Sequence, residues 1–333
     1  MPARPPTVDC MTRRSLLATT LILALGCDKA RELAGESKGA QAAETPTGDR
    51  LDLSSHPGIL FKIYGERDDP RMIPVGVMRG GSIESISLGA TGWKQFDAIY
   101  DKIGTKYTVY GNGRAIGSAK VRQGMWDAGR DPLYTLPSCE LLTPQAAVTL
   151  DGGIGPSYTV SLFASSKTLR SAPAATMSQA EATRIAKSLA VEVARTAGIS
   201  ESELSGLDMR ASAIATGVSD SPTIVATFVD HRSDEQSSAG ERTSHIMLIA
   251  DRPPGASAYQ TTFAHTLNGD ASSGEFRRYV DHLDVAGDGV TEIVLEGWKY
   301  GGDTFLMFLQ YKNGEWSELY RARSSWCLDA GAH

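Results

Sequence analysis

The sequence predicts an α+β fold that is predominantly antiparallel β-sheet, with one long helix over about 178–197. Three observations favour this class: the apolar runs are short, few helical patterns separate them, and Asn-Gly pairs join two of them, at Asn112-Gly113 and Asn313-Gly314. Asn-Gly tolerates positive φ and suits two-residue β-hairpins, which connect antiparallel strands. A β-sandwich is the alternative, and no internal repeat indicates a propeller or solenoid.

Composition places the body among ordinary globular proteins. The chain has 333 residues, of which 41% are hydrophobic and 22% charged, so a sizeable core is expected. The net charge of −6 argues against nucleic acid as a partner. The one long apolar run, from Leu16 to Leu25, is about half of the ~20 residues that a membrane-spanning helix requires.

The N-terminus has the layout of a secretory signal over residues 1–26. Arg13-Arg14 forms a basic region, an apolar stretch follows, and Ala24-Leu25-Gly26-Cys27 ends it. Residues 1–10 are Pro-rich and add nothing that a signal requires, which favours Met11 as the true start. The alternative, a short core helix ending at an ordinary cysteine, fits poorly with the polar tract that follows.

Ala24-Leu25-Gly26-Cys27 resembles the lipobox of bacterial lipoproteins. The resemblance implies that the Cys27 thiol receives a lipid, so the membrane is a partner and the protein lies in the bacterial cell envelope. Thr12 to Leu17 also resembles a twin-arginine export motif, and general secretion is the equal alternative. Asp28 resembles an inner-membrane retention signal, although either membrane is compatible with the pattern.

Residues 27–55 are predicted to be a lipid anchor and flexible tether, because Leu33 is the only large apolar residue between Asp28 and Leu51. Cys139 and Cys327 then remain as a pair in an oxidising compartment, which favours a disulfide. The alternative is two separate buried thiols.

A β-rich region is predicted over 56–166, followed by a linker over 165–176 that contains Pro173 and many small residues. One helix is expected from Trp93 to Ile103. The predicted strands are Ile59 to Tyr64, Ile73 to Met78, Ser82 to Leu88, Tyr107 to Tyr110, Ala115 to Val121 and Tyr158 to Ala164.

The second region, 177–333, is predicted to be α+β with C-terminal antiparallel strands. Ser178 and Glu181 fit a capping box, apolar residues recur on one helical face, and Gly198 suits the helix stop. Phe305 to Leu309 is apolar throughout, as in a strand covered on both faces, and we expect the long helix to cover it. The predicted strands are Met209 to Thr216, Thr223 to Val229, His245 to Ala250, Tyr259 to His265, Arg278 to Leu283, Glu292 to Leu295, Phe305 to Tyr311 and Trp316 to Ala322.

Residues Asp284 to Val294 read DVAGDGVTEIV and resemble the calcium loop of FG-GAP and VCBS repeats. The resemblance implies Ca²⁺ ligands at Asp284, Asp288 and Glu292, with the Val290 carbonyl as a fourth. Ala286 stands where a further Asp or Asn is usual, so binding is expected at ~10⁻⁴ to 10⁻³ M. The alternative is a hairpin turn without metal, and no cofactor is required by the sequence.

Other candidates are weaker. His245, His265 and His282 lie on separate predicted strands without a metal-binding spacing, and no nucleophile or phosphate-loop motif occurs. Trp298, Tyr300 and Asp303 suit a sugar cleft, or simply a turn. The sequence therefore favours a noncatalytic, lipid-anchored protein that contacts an envelope protein partner. An extracytoplasmic hydrolase with an unfamiliar site, or a calcium-dependent binding module, is the alternative.

Overall fold

The computed structural model describes residues 51–88, 90–124, 145–156, 161–230, 242–299 and 304–322. These residues form three antiparallel sheets with few helices, so the predicted α+β, mainly antiparallel class is confirmed. They all belong to the compact unit 50–333. No helix in the described part of the chain is long and apolar enough to span a membrane. The predicted signal, Cys27, Cys139 and Cys327 lie outside the described residues.

The first sheet contains six strands that close into a barrel. The strands lie in the order β1-β7-β4-β5-β6-β2, and β2 pairs back with β1, while β3 pairs with β2 beside the ring. Their bounds are β1 (Gly58–Gly65), β2 (Pro70–Arg79), β3 (Ser82–Glu84), β4 (Lys106–Gly111), β5 (Arg114–Gln123), β6 (Ala146–Leu150) and β7 (Leu162–Ser165).

Alternation along the strands separates the barrel interior from its outer face. In β1, Ile59, Phe61 and Ile63 enter the interior core, whereas Leu60 joins a core outside the barrel. The helix α1 (Ala90–Tyr100) adds Phe96 to the interior, where its ring lies 6.3 Å from that of Phe61. Leu53, which falls inside the predicted tether, is also buried against this core.

Two four-stranded sheets follow the barrel in the chain. The helices α2 (Gln179–Thr196) and α3 (Glu201–Gly206) precede them, and Ser178 caps α2 by accepting a hydrogen bond from the Glu181 N–H. The middle sheet has the order β11-β10-β9-β8 and the last sheet the order β12-β13-β14-β15. Their bounds are β8 (Asp208–Ile214), β9 (Thr223–Val229), β10 (Arg242–Asp251), β11 (Gln260–Asp270), β12 (Glu275–Leu283), β13 (Glu292–Lys299), β14 (Thr304–Lys312) and β15 (Glu315–Ala322).

The elements stack as layers that share four apolar cores. Alanines of α2, such as Ala186 and Ala190, pack on the middle sheet, and the middle sheet packs face to face on the last sheet. The opposite face of the last sheet packs on the outside of the barrel. The last sheet is therefore covered on both faces, and loops at its ends lie close to the barrel.

The strand β14 corrects one prediction. Phe305, Met307 and Leu309 face the middle sheet, whereas Leu306 and Phe308 face the barrel. The run is covered on both faces, but the prediction that the long helix covers it was wrong. Residues on both faces of β14 are apolar because one face packs on the middle sheet and the other on the barrel. The helix α2 packs on the middle sheet instead.

Candidate functional site

The loop that joins β12 to β13 contains the predicted calcium-binding residues, and we call it the 284–292 loop. Asp284 directly follows β12 and is 3% exposed, and Glu292 begins β13 and is 1% exposed. The strand ends are anchored by the buried neighbours Leu283 and Ile293. Two carboxyl groups are thus carried into the interior by apolar strands, where each needs a compensating partner.

Glu292 organises the loop from within. Its Oε2 accepts hydrogen bonds from the backbone N–H of Val285 at 2.9 Å and of Ala286 at 3.2 Å. Burial raises the pKa of the Glu292 carboxyl to about 7, against the lowering effect of these two hydrogen bonds. Its Oε1 is buried and has no hydrogen-bond partner. One oxygen of this carboxyl therefore closes the turn, and the other has capacity for a ligand.

The Asp284 carboxyl has fewer hydrogen-bond partners than the Glu292 carboxyl. Both of its carboxyl oxygens are buried without a hydrogen-bond partner, and the nearest positive charge is the Nε of Arg170, 3.8 Å from Oδ2. The Arg170 guanidinium also lies over Gly289, where a Cβ would approach its Nη1 to 2.7 Å. Because Gly289 has no side chain, the Arg170 guanidinium has room to lie near Asp284.

Asp288 and Val290 lie on the outer part of the loop. Asp288 is exposed and accepts a hydrogen bond from the backbone N–H of Val290 at 2.9 Å. No group of three or more His, Cys, Asp or Glu is positioned for a metal ion within the ranges that the structure describes. Any Ca²⁺ held here would depend on the free oxygens of Asp284 and Glu292 with main-chain oxygens, which fits a weak site.

A cavity of ≈ 380 Å³ opens beside this loop. Three segments form it: the turn between β2 and β3, the chain that leaves β7, and the start of the 284–292 loop. A second cavity, of ≈ 40 Å³, shares Arg170 and Asp284 with the first. The larger cavity is lined by Met78, Arg79, Gly80, Gly81, Lys167, Thr168, Leu169, Arg170, Asp284, Val285, Ala286 and Gly287.

Charge is the main feature of the larger cavity. Arg79, Lys167 and Arg170 line it with a single carboxyl group, Asp284. Hydrogen bonds from Ser54 are the main cause of the lowered pKa of the exposed Asp52 carboxyl. The positive charge of Arg79 makes the smallest contribution to this lowering. An arrangement of this kind attracts anions and offers one buried acceptor for a hydrogen-bond donor or a cation.

No protein-family model matches this chain, and no curated protein or solved structure is significantly similar to it. The chemistry of the site therefore rests on its own atoms. Sequence reasoning missed Arg79, Lys167 and Arg170. They are single basic residues in separate segments, and no spacing in the sequence indicates that folding brings them together.

The three strand histidines do not form one site. His245 and His265 have ring centroids 6.1 Å apart, but the Nε2 of His245 accepts the Arg277 N–H and the Nε2 of His265 faces the Glu275 carbonyl. His282 instead contacts the Tyr279 hydroxyl at 2.8 Å. Both Nε2 atoms of the neighbouring pair are engaged with backbone, which argues for a structural role.

His245 predicts how stability depends on pH. Burial, with smaller contributions from His265 and Arg277, lowers its pKa from 6.5 to about 3. Below pH 6.5, His245 binds a proton in the unfolded chain but stays neutral in the folded chain, so the free energy of unfolding falls with acidification. We expect this residue to remove about 2 kcal/mol between about pH 7.5 and pH 5. Urea unfolding at the two pH values should show that the fall in unfolding free energy is about 2 kcal/mol smaller in His245→Gln than in the wild-type protein. An unchanged loss would contradict it, and His56→Gln, at an exposed histidine, is the control.

The predicted sugar cleft is described only in part. Trp298 is half-buried and stacks on Phe276, with ring centroids 5.5 Å apart and planes 13° apart. The Arg278 guanidinium lies 5.8 Å from the Trp298 ring centroid. Tyr300 and Asp303 lie outside the described residues. The described contacts hold Trp298 by stacking within its own sheet.

Proposed function

We propose that this protein is a noncatalytic binding protein of the bacterial cell envelope, held on a membrane by a lipid on Cys27. The anchor is supported by the lipobox-like residues Ala24-Leu25-Gly26-Cys27 after a basic and apolar signal. The binding role is supported by the ≈ 380 Å³ cavity beside the 284–292 loop, which falls in the size range of small-ligand sites.

The lining of this cavity carries the noncatalytic assignment. It consists of three cationic side chains, one carboxyl group, a threonine, glycines and apolar residues. Hydrolysis requires an activated nucleophile or a general acid and base placed together. Among the described residues of the lining there is no histidine, serine or cysteine, and the one carboxyl group faces Arg170 rather than a second acid. These groups suit recognition of a charged ligand better than its conversion.

The described surface favours a small ligand over a flat protein interface. Large apolar side chains with substantial exposure within the described ranges are Ile103, Ile116 and Val191, which lie in the turn before β4, on β5 and on α2. Apolar residues scattered singly are normal for a soluble surface, whereas a partner interface usually has a contiguous apolar patch. We therefore assign the binding role to the cavity.

The anchor and the noncatalytic role have separate tests. Intact-mass analysis of the mature protein from bacterial membranes should show an N-terminal lipidated Cys27, and Cys27→Ser should lose the lipid mass. A different N-terminus would refute the anchor. Turnover of ester, peptide or glycosidic model substrates by the wild-type protein, absent in Asp284→Asn, would instead support the hydrolase alternative.

Calcium binding in the 284–292 loop is a second candidate function. The observation that favours it is the set of buried oxygens without hydrogen-bond partners, on Asp284 and Glu292, at the two ends of one glycine-containing loop. Buried carboxyl oxygens with free lone pairs are the donors that Ca²⁺ prefers. Bound Ca²⁺ would compensate both charges and fix the turn between β12 and β13.

Thermal unfolding tests this candidate. At 10 mM Ca²⁺, a site of the expected weak affinity should stabilise the fold by about 1.5 to 3 kcal/mol relative to EDTA, and Mg²⁺ should do less. Glu292→Gln should remove most of this gain, whereas Asp220→Asn, at an exposed acid, should keep it. An identical melting temperature in EDTA and Ca²⁺ would remove the support for a metal site.

A further inference from the structure

The cavity beside the 284–292 loop carries an excess of positive charge. Arg79, Lys167 and Arg170 line it against the single carboxyl group of Asp284, which leaves a formal excess of two positive charges. Arg170 is the one that lies within ion-pair distance of Asp284, at 3.8 Å. Neither Arg79 nor Lys167 forms an ion pair with any residue in the described ranges. Two cationic side chains are thus available to a ligand.

We propose that this cavity binds a dianionic ligand, and that the group it recognises is a phosphate monoester. The inference rests on the proposed binding role and adds the class of ligand. A phosphate monoester carries a charge of about −1.5 to −2 near neutral pH, which matches the excess on the lining. Arg79 provides a planar guanidinium that can donate two parallel hydrogen bonds to phosphate, and Lys167 provides a compact point charge.

Size and shape agree with a small ester. The volume of ≈ 380 Å³ lies near the lower end of the range for small-ligand pockets. The turn between β2 and β3 contributes Gly80, where a Cβ would meet no atom within 4 Å, so a ligand can approach the backbone there. Met78, Leu169 and Val285 also line the cavity, and because each is at most 8% exposed they offer only a small apolar contact to the carbon part of a ligand.

Asp284 gives the cavity a means of selection. Its carboxyl oxygens are buried without hydrogen-bond partners, and inorganic phosphate has only its own P–O–H group to donate to them, which takes that oxygen away from the cationic side chains. An ester with a nearby hydroxyl or amine can donate a hydrogen bond to Asp284 while its phosphate contacts the cationic side chains. Because an unpaired buried acceptor is costly, that donor should add affinity. We therefore expect glycerol 3-phosphate to bind more tightly than inorganic phosphate.

Calorimetric titration of the full-length, detergent-solubilised protein tests this inference. Glycerol 3-phosphate should bind with a Kd at least threefold lower than that of inorganic phosphate, and binding should weaken at high salt. Arg79→Gln and Lys167→Gln should each raise the Kd about tenfold or more, because each removes a charged hydrogen-bonding group. The matched controls are Arg184→Gln and Lys187→Gln, at exposed positions of α2, which should leave the Kd unchanged.

A lipid headgroup is a second source of the same chemistry, and vesicles distinguish it. Full-length Cys27→Ser lacks the lipid anchor, so its sedimentation with phosphatidic acid vesicles, but not with phosphatidylcholine vesicles, would identify a headgroup as the source. Glycerol 3-phosphate should compete with this binding, and Arg79→Gln should abolish it. Binding of glycerol 3-phosphate without vesicle sedimentation would identify a free ester.

The outcomes separate this inference from the proposed function. No heat at millimolar glycerol 3-phosphate together with no vesicle binding would overturn the phosphate site, even if Cys27 is lipidated and no substrate is turned over. Equal losses in Arg79→Gln and Arg184→Gln would overturn it as well. Release of inorganic phosphate from glycerol 3-phosphate would keep the ligand class but refute the noncatalytic role.

Discussion

Replacing Asp251 with alanine is expected to cost about 4 kcal/mol of unfolding free energy. Asp251 ends β10, is 1% exposed, and accepts hydrogen bonds from three buried donors. The hydroxyls of Thr223 and Thr262 each lie 2.5 Å from one of its two oxygens, and the indole N–H of Trp316 lies 2.8 Å from Oδ2. Alanine would leave all three donors buried without this acceptor, and each loss costs about 1 to 3 kcal/mol before relaxation.

The Asp251 network joins two sheets and reaches the candidate site. Trp316 lies on β15 of the last sheet, whereas Thr223 and Thr262 lie on strands of the middle sheet. Thr216 contacts the Thr223 hydroxyl at 2.6 Å, and its carbonyl accepts the backbone N–H of Thr291 in the 284–292 loop. A fully satisfied polar network of this kind fixes how two sheets pack, so its loss should loosen the loop as well as the fold.

Urea unfolding monitored by tryptophan fluorescence measures the effect. Trp316→Phe removes one donor and leaves a smaller aromatic ring, so it should cost less than Asp251→Ala, about 2 kcal/mol, in the same assay read by circular dichroism. Asp220→Ala, at an exposed acid, is the matched control and should change stability by less than about 0.5 kcal/mol. An Asp251→Ala variant within about 1 kcal/mol of wild type would show that the three donors find other partners.

Much of the fold was predictable from local patterns. Turn chemistry fixed both Asn-Gly hairpins, since Asn112 and Asn313 have φ of 53° and 55° and each is followed by a glycine with positive φ. Capping chemistry fixed the start of α2 at Ser178. Alternation and apolar runs located most of the strands that the structure describes, because each such strand buries at least one face.

Other features depend on contacts that no local pattern reports. The short strand β6 escaped prediction because its sequence, Ala-Ala-Val-Thr-Leu, has small side chains and weak alternation. Closure of the barrel depends on the pairing of β1 with β2 and of β2 with β6, and the second pairing joins residues about 75 positions apart, such as Arg71 and Ala147. One face of β14 packs on the barrel, and nothing in the sequence of the strand identifies the barrel as its neighbour.

The candidate site shows the same division. The pattern from Asp284 to Val294 predicted a glycine-containing loop between two strands, and the structure has that loop with Asp284 and Glu292 buried. The pattern could not predict that Asp288 faces outward or that Arg170 approaches Asp284 from the chain after β7. The sequence predicts a linker for that segment, because its many small residues give little hydrophobic signal, whereas the structure shows that it forms one wall of the cavity.

Replacing Gly113 with alanine is expected to cost about 3 kcal/mol, and Gly314→Ala only about 1 kcal/mol. Both glycines follow Asn in a hairpin turn and have positive φ, of 74° and 92°. Alanine is disfavoured at positive φ by a similar amount at the two positions. Only at Gly113 does the new Cβ meet an obstacle, since it would lie 2.4 Å from the Nε2 of His282, whereas at Gly314 no atom lies within 4 Å. The difference of about 2 kcal/mol therefore measures a contact between the barrel and the last sheet.

The surroundings of His282 explain why it cannot easily yield to that Cβ. His282 is 3% exposed and its Nδ1 lies 2.8 Å from the Tyr279 hydroxyl, while the neighbouring Asp281 accepts the Gly113 N–H at 2.8 Å. The turn is thus held against β12, just before the 284–292 loop. A double-mutant cycle tests this account by chemical denaturation: in a His282→Ala background, Gly113→Ala should cost only about as much as Gly314→Ala. If the excess cost persists without the imidazole, the clash is not its cause, and the hydrogen bond to Asp281 becomes the interaction to remove next.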